Sequence, residues 1–148
     1  LGPAAARDPR RLRPVAEAVL DALSDDPLTA ALRVGLAAQA LAAEGFGRLL
    51  TALSAAGRLD FDVHSAAAEA LPMLARRAGG ADGLVALETA WAADPDPRLR
   101  RLAVSALAAL AGVMGWIAPL RERLELLRRD PDPGPAAAAQ FTFPPSGD

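Results

Sequence analysis

Asp94-Pro95-Asp96-Pro97-Arg98-Leu99-Arg100-Arg101-Leu102-Ala103-Val104-Ser105-Ala106-Leu107 combines a helix-start signal with a helical apolar spacing. An Asp ahead of a helix accepts a hydrogen bond from a free first-turn amide, and Pro suits the first helical position because it needs no donor there. From Leu99 onward, nonpolar residues fall at Leu102, Ala103, Ala106, Leu107 and Leu110. Steps of three and four place these side chains on one helix face. The stretch is therefore predicted to be a marked helix start followed by an amphipathic helix.

The same arrangement recurs along the chain. Asp25, Asp60, Asp94 and Asp130 are spaced 35, 34 and 36 residues apart, and each opens a turn-like cluster. From Val63 the Leu99 template gives Ala66, Ala67, Ala70, Leu71 and Leu74. From Leu28 it gives Ala31, Leu32, Gly35 and Leu36, with Gln39 as the miss. After Pro135 it weakens, with Ala138, Ala139 and Phe143 fitting but not Thr142. A second apolar pattern precedes each Asp: Val15, Leu50, Leu84 and Leu120 lie ten residues upstream, and Ala22, Gly57, Trp91 and Leu127 three upstream.

Each repeat then reads as a first helix, a turn and a second helix. The first helices are expected over 27–43, 62–78 and 96–112, with a truncated one from 134. The second helices are expected over 9–23, 46–57, 82–93 and 116–129. Gly45, the Gly79-Gly80 pair and Gly112 or Gly115 mark the turns within repeats. The fold class that follows is all-α: an α-solenoid of about three and a half antiparallel helix-pair repeats, with a period near 36 residues. Residues 1–8 read as a linker or truncated edge, 9–141 as the repeat domain and 142–148 as an extended tail.

Composition agrees with a helical class. Hydrophobic residues make up 52% of the chain but aromatics only 4%, so Ala and Leu carry the apolar content rather than residues that suit a pleated sheet. The formal charge of −2 offers no global basic field for nucleic acid or anionic lipid. Cys, Lys, Asn and Tyr are absent. Without Cys there is no disulfide or thiolate metal site. Reliance on Arg for every fixed positive side chain fits a GC-rich genome. The start at Leu1 is read as that of a fragment of a longer protein, and the lack of a basic-then-apolar leader gives a cytoplasmic expectation.

The residues quoted first resemble HEAT repeats. In that family an Asp and a Pro open the first helix, an Arg follows, and Ala and then Leu line the core. Asp94, Pro97, Arg100, Ala103 and Leu107 match, whereas His64, Thr29 and Ala136 stand where Arg100 does in the other repeats. The resemblance covers residues 9–141 and implies a binding scaffold. The ending Ala136–Pro145 resembles the C-terminal repeats of larger bacterial proteins.

No catalytic, cofactor-binding or metal-ligating constellation emerges, and a non-enzymatic role is expected. His64 is the single histidine, and Asp60, Asp62 and Glu69 lie near it in sequence. The repeat accounts for the aspartates as caps, so a structural or solvated His is expected rather than a base or metal ligand. Gly79-Gly80-Ala81-Asp82-Gly83 lacks the preceding strand of a phosphate cradle and reads as a helix–helix turn. Arginines gather as Arg7, Arg10, Arg11 and Arg13, as Arg98, Arg100 and Arg101, and as Arg121, Arg123, Arg128 and Arg129. They read as a solvated face balanced by acids, with phosphate contact as the alternative. Trp91, Trp116, Phe141 and Phe143 read chiefly as closing the core. Candidate partner-binding residues are Arg98, Arg101, Arg121, Trp91 and Trp116. A protein partner is expected first and nucleic acid second. The uncharged run from Leu102 to Leu120 has the length of a membrane span, but its Ala, Gly and Ser content and the template inside it favour a domain in water.

One consequence concerns Ala103. If it lies on the shared seam, Ala103→Leu overpacks that seam and lowers stability by about 1–3 kcal/mol. Thermal melting of the variant beside the parent chain checks this, and an unchanged midpoint would refute the register.

Overall fold

The structure, a computed structural model, describes residues 27–142. Among these residues all regular structure is helical: α1 (Pro27–Ala40), α2 (Ala43–Ala55), α3 (Phe61–Arg76), α4 (Gly80–Ala92), α5 (Pro97–Met114), α6 (Ala118–Arg128) and α7 (Pro133–Gln140). The expected linker 1–8, the helix 9–23, the group Arg7, Arg10, Arg11 and Arg13, Phe143 and the rest of the tail lie outside the described residues. The chain forms two compact units whose boundary falls between Ala70 and Leu71, within α3.

Helix starts follow the Asp–Pro chemistry, and the structure shows which Asp of each cluster serves as the cap. Asp60 accepts from the Val63 amide at 3.0 Å, Asp96 from Arg98 at 2.9 Å and Asp132 from Gly134 at 2.8 Å. The caps are thus Asp60, Asp96 and Asp132. Asp94 and Asp130 sit two residues earlier and accept from the Asp96 and Asp132 amides, each at 2.8 Å. In each Asp-Pro-Asp-Pro cluster the first Asp shapes the turn and the second starts the helix, since only the second adjoins the free amides.

In the first unit α1 packs against α2. Here the expected register is wrong by face. Leu32 and Leu36 are 71% and 63% exposed, whereas Val34, Ala38 and Leu41 are buried. Both sets are spaced for one helix face, and a helix apolar on nearly every side gives periodicity no basis for choosing between them. α2 starts earlier than expected, so Gly45 lies buried in its first turn and the bend falls at Leu41–Ala42. α2 also ends earlier. Gly57 has φ +70°, and the Arg58 amide reaches back to the Leu53 carbonyl at 2.8 Å. That is the left-handed helix stop that favours glycine, which explains why Gly57 is not a helix-face residue.

In the second unit α5 is the central element, packed by α4, α6 and α7. Every position of the Leu99 template is buried, and so are Val104 and Ala109. α6 also packs on α7. The uncharged run Leu102–Leu120, which covers most of α5, is broken at Gly115, where φ is +76°. No helix among the described residues is long and apolar enough to cross a membrane.

The α3–α4 turn contains a close backbone approach. A Cβ on Gly80 would lie 1.9 Å from the Leu74 carbonyl oxygen. Elsewhere in a helix Ala is favoured over Gly by about 0.8–1.0 kcal/mol. Gly80→Ala is expected to reverse that sign and lower the melting temperature, because backbone has to move. A variant as stable as the parent chain would show that the turn yields freely.

Candidate functional site

The charged groups of the second unit are organised by the loops and helix ends around α5. Arg100, in the first turn of α5, reaches in two directions. Its Nε and Nη2 donate to Asp130 at 2.8 and 3.2 Å, and its Nη1 donates to the Asp94 and Pro95 carbonyls at 3.0 and 2.9 Å. One guanidinium therefore ties the turn before α5 to the turn before α7. A planar fork suits this task because its donors point in fixed, diverging directions. Burial pushes the Asp130 carboxyl up, but the Arg100 hydrogen bonds, the Asp132 amide and the Arg100 charge together hold it below its ordinary value.

A second ion pair joins α4 to α6. Arg123 donates from Nε to Glu88 Oε2. Glu88 is only 1% exposed, and its Oε1 accepts no hydrogen bond from the described residues. Burial pushes this carboxyl above its usual range, against the lowering effects of the Arg123 hydrogen bond and charge. A groove of about 350 Å³ opens beside the pair, lined by Glu88, Thr89, Ala92, Ala93, Arg123, Leu126, Leu127 and Asp130.

The five sequence-derived candidates do not form one site. Arg98 is exposed and pairs with Asp96 at 3.1 Å, and Arg101 is exposed on the same helix. Arg121 and Trp116 do meet, through Arg121 Nε donating to the Trp116 carbonyl at 2.8 Å. They line an open depression with Gly115, Ile117 and Ala118. Trp91 is 2% exposed, so its ring belongs to the core and offers a partner no surface. Phe141 departs the other way. It was expected to close the core but is exposed. The end of α7 is held instead by Arg128, which donates to the Ala139 and Thr142 carbonyls at 3.1 and 2.7 Å. His64 is buried near the start of α3.

Glu88 was missed because nothing in Leu84-Val85-Ala86-Leu87-Glu88-Thr89 marks it. The available signal was its place on the helix face that also carries Leu84 and Trp91, where a carboxylate is unusual. Compared with known protein families, curated proteins and solved structures, the chain matches none.

The Asp130 carboxylate supplies a test by pH. Its folded pKa lies below the unfolded value of about 3.9. Its contribution is therefore present above that value and is lost as pH falls through the folded pKa. Asp130→Asn is expected to cost about 1.5–3 kcal/mol near neutral pH, the range for hydrogen bonds to a charged group. It should also remove part of the acid-side fall in stability. Urea unfolding of both chains across pH 2–7 (roughly the window spanning the carboxylates) measures this, and parallel curves would contradict it.

Proposed function

We propose that the chain is a HEAT-like α-solenoid segment acting as a non-catalytic protein-interaction domain of a larger bacterial protein. The fold part of this reading draws support from the caps Asp60, Asp96 and Asp132, which stand 36 residues apart, and from Arg100 joining successive turns. In such a fold the second helices build the concave binding face. α4 and α6, which flank the groove, are second helices in this register.

The observation that carries the choice of partner is what the arginines do. Arg98, Arg100, Arg123 and Arg128 each bond a carboxylate of this chain, and Arg121 bonds a carbonyl. Phosphate binding needs guanidinium groups whose counterions are small and easily released. At Arg98, Arg100, Arg123 and Arg128 a nucleic acid would have to displace carboxylates of the chain instead. A protein surface, which matches mixed charge and apolar area, is the better fit. The reading assigns no catalytic residue, cofactor or metal.

The test is a pull-down with the purified chain as bait, with bound protein and nucleic acid identified together at low and high salt. A discrete protein retained at high salt is the expected result. Nucleic acid released by salt, with no protein retained, would overturn the assignment and favour a nucleic-acid-binding solenoid.

A further inference from the structure

We propose that the groove between α4 and α6 is a subsite for one basic side chain of a protein partner, arginine or lysine, with Glu88 as its acceptor. This rests on the reading of the chain as a protein-interaction domain and names the chemistry of one contact.

The first argument is an imbalance of donors and acceptors. An ionised carboxylate presents acceptor sites on both oxygens. Arg123 Nε serves Oε2, while Oε1, buried with the rest of Glu88, accepts nothing from the described residues. A buried acceptor left without a donor is unfavourable, and a partner that supplies one gains correspondingly. Among the groove residues there are two carboxylates, Glu88 and Asp130, and one cation, Arg123. Asp130 is occupied by Arg100 and its own turn. Glu88 is therefore the acceptor left with capacity.

Shape gives the second argument. Ala92, Ala93, Leu126 and Leu127 supply apolar wall, and Leu126 is largely exposed. Methylene stems of arginine and lysine pack along such surface while the charged head reaches a polar group. Glu88 lines the groove with Oε1 buried, and the last torsion of a Glu side chain is soft enough to turn that oxygen toward an incoming donor. Arg123, with a third of its side chain exposed, has room to give way. An acidic or phosphorylated ligand would instead meet two carboxylates.

Titration of the 15N-labelled chain with N-acetyl-arginine amide, followed by NMR, tests the subsite. N-acetyl-citrulline amide serves as the neutral probe of equal length. Saturable shifts at the Thr89, Ala92, Ala93 and Leu126 amides are expected with arginine, with a response roughly tenfold weaker for citrulline. Glu88→Gln should abolish the arginine response while keeping the helical circular dichroism. The two-probe comparison on the parent chain needs no variant, so it stands even if Glu88→Gln unfolds. Equal responses to both probes, or no saturable shift in the groove, would overturn the proposal. A protein partner captured equally by the parent chain and by folded Glu88→Gln would also overturn it, while leaving the interaction-domain reading in place.

Discussion

The second unit depends on α5 being enclosed. Three helices pack against it, and eight of its residues are buried, three of them alanines. Ala103, Ala106 and Ala109 keep neighbouring axes close, and the leucines fill the space between. The buried face has no place for charge, and the charged residues of the helix, Arg98, Arg100 and Arg101, lie within its first five positions. Arginines there face the positive end of the helix dipole and need compensation. Asp96 provides it for Arg98, and Asp130 with two carbonyls provides it for Arg100. The polar network follows from the apolar one.

The two cross-element ion pairs illustrate opposite outcomes of burial. At Arg100–Asp130 nearly every donor and acceptor has a partner, and the carboxyl is held ionised. At Arg123–Glu88 one oxygen is unserved and desolvation dominates, so folding favours the protonated acid more than water does. On acidification the first pair loses stability and the second gains it.

The degree to which the sequence could be read varies along the chain for physical reasons. Around α5 the cap, the proline and the template agree, and the buried face came out as read. On α1 the same template chose the wrong face, because Leu32–Leu36 and Val34–Ala38–Leu41 satisfy one spacing equally well. The Asp spacing located the helix starts but not which Asp of each cluster caps the helix: Asp96 and Asp132 do, while Asp94 and Asp130 shape the turn. Among the candidate residues, Trp116 and Arg121 meet because they share a turn. Glu88 and Arg123 lie 35 residues apart, and their pairing depends on helix packing that periodicity does not report.

The last described helix shows how order is handed from one element to another. α7 has eight residues, fewer than an isolated helix needs to persist in water. Its order is borrowed from α5 and α6 through packing, and from Arg128 through the carbonyls at its far end. Mechanically, Arg128 is a clasp. Tension applied beyond Thr142 reaches α6 through this side chain, and the clasp shares that load with the short helix. Once it opens, α7 can peel away while the enclosed α5 keeps its contacts with α4, so the unit yields from its edge inward.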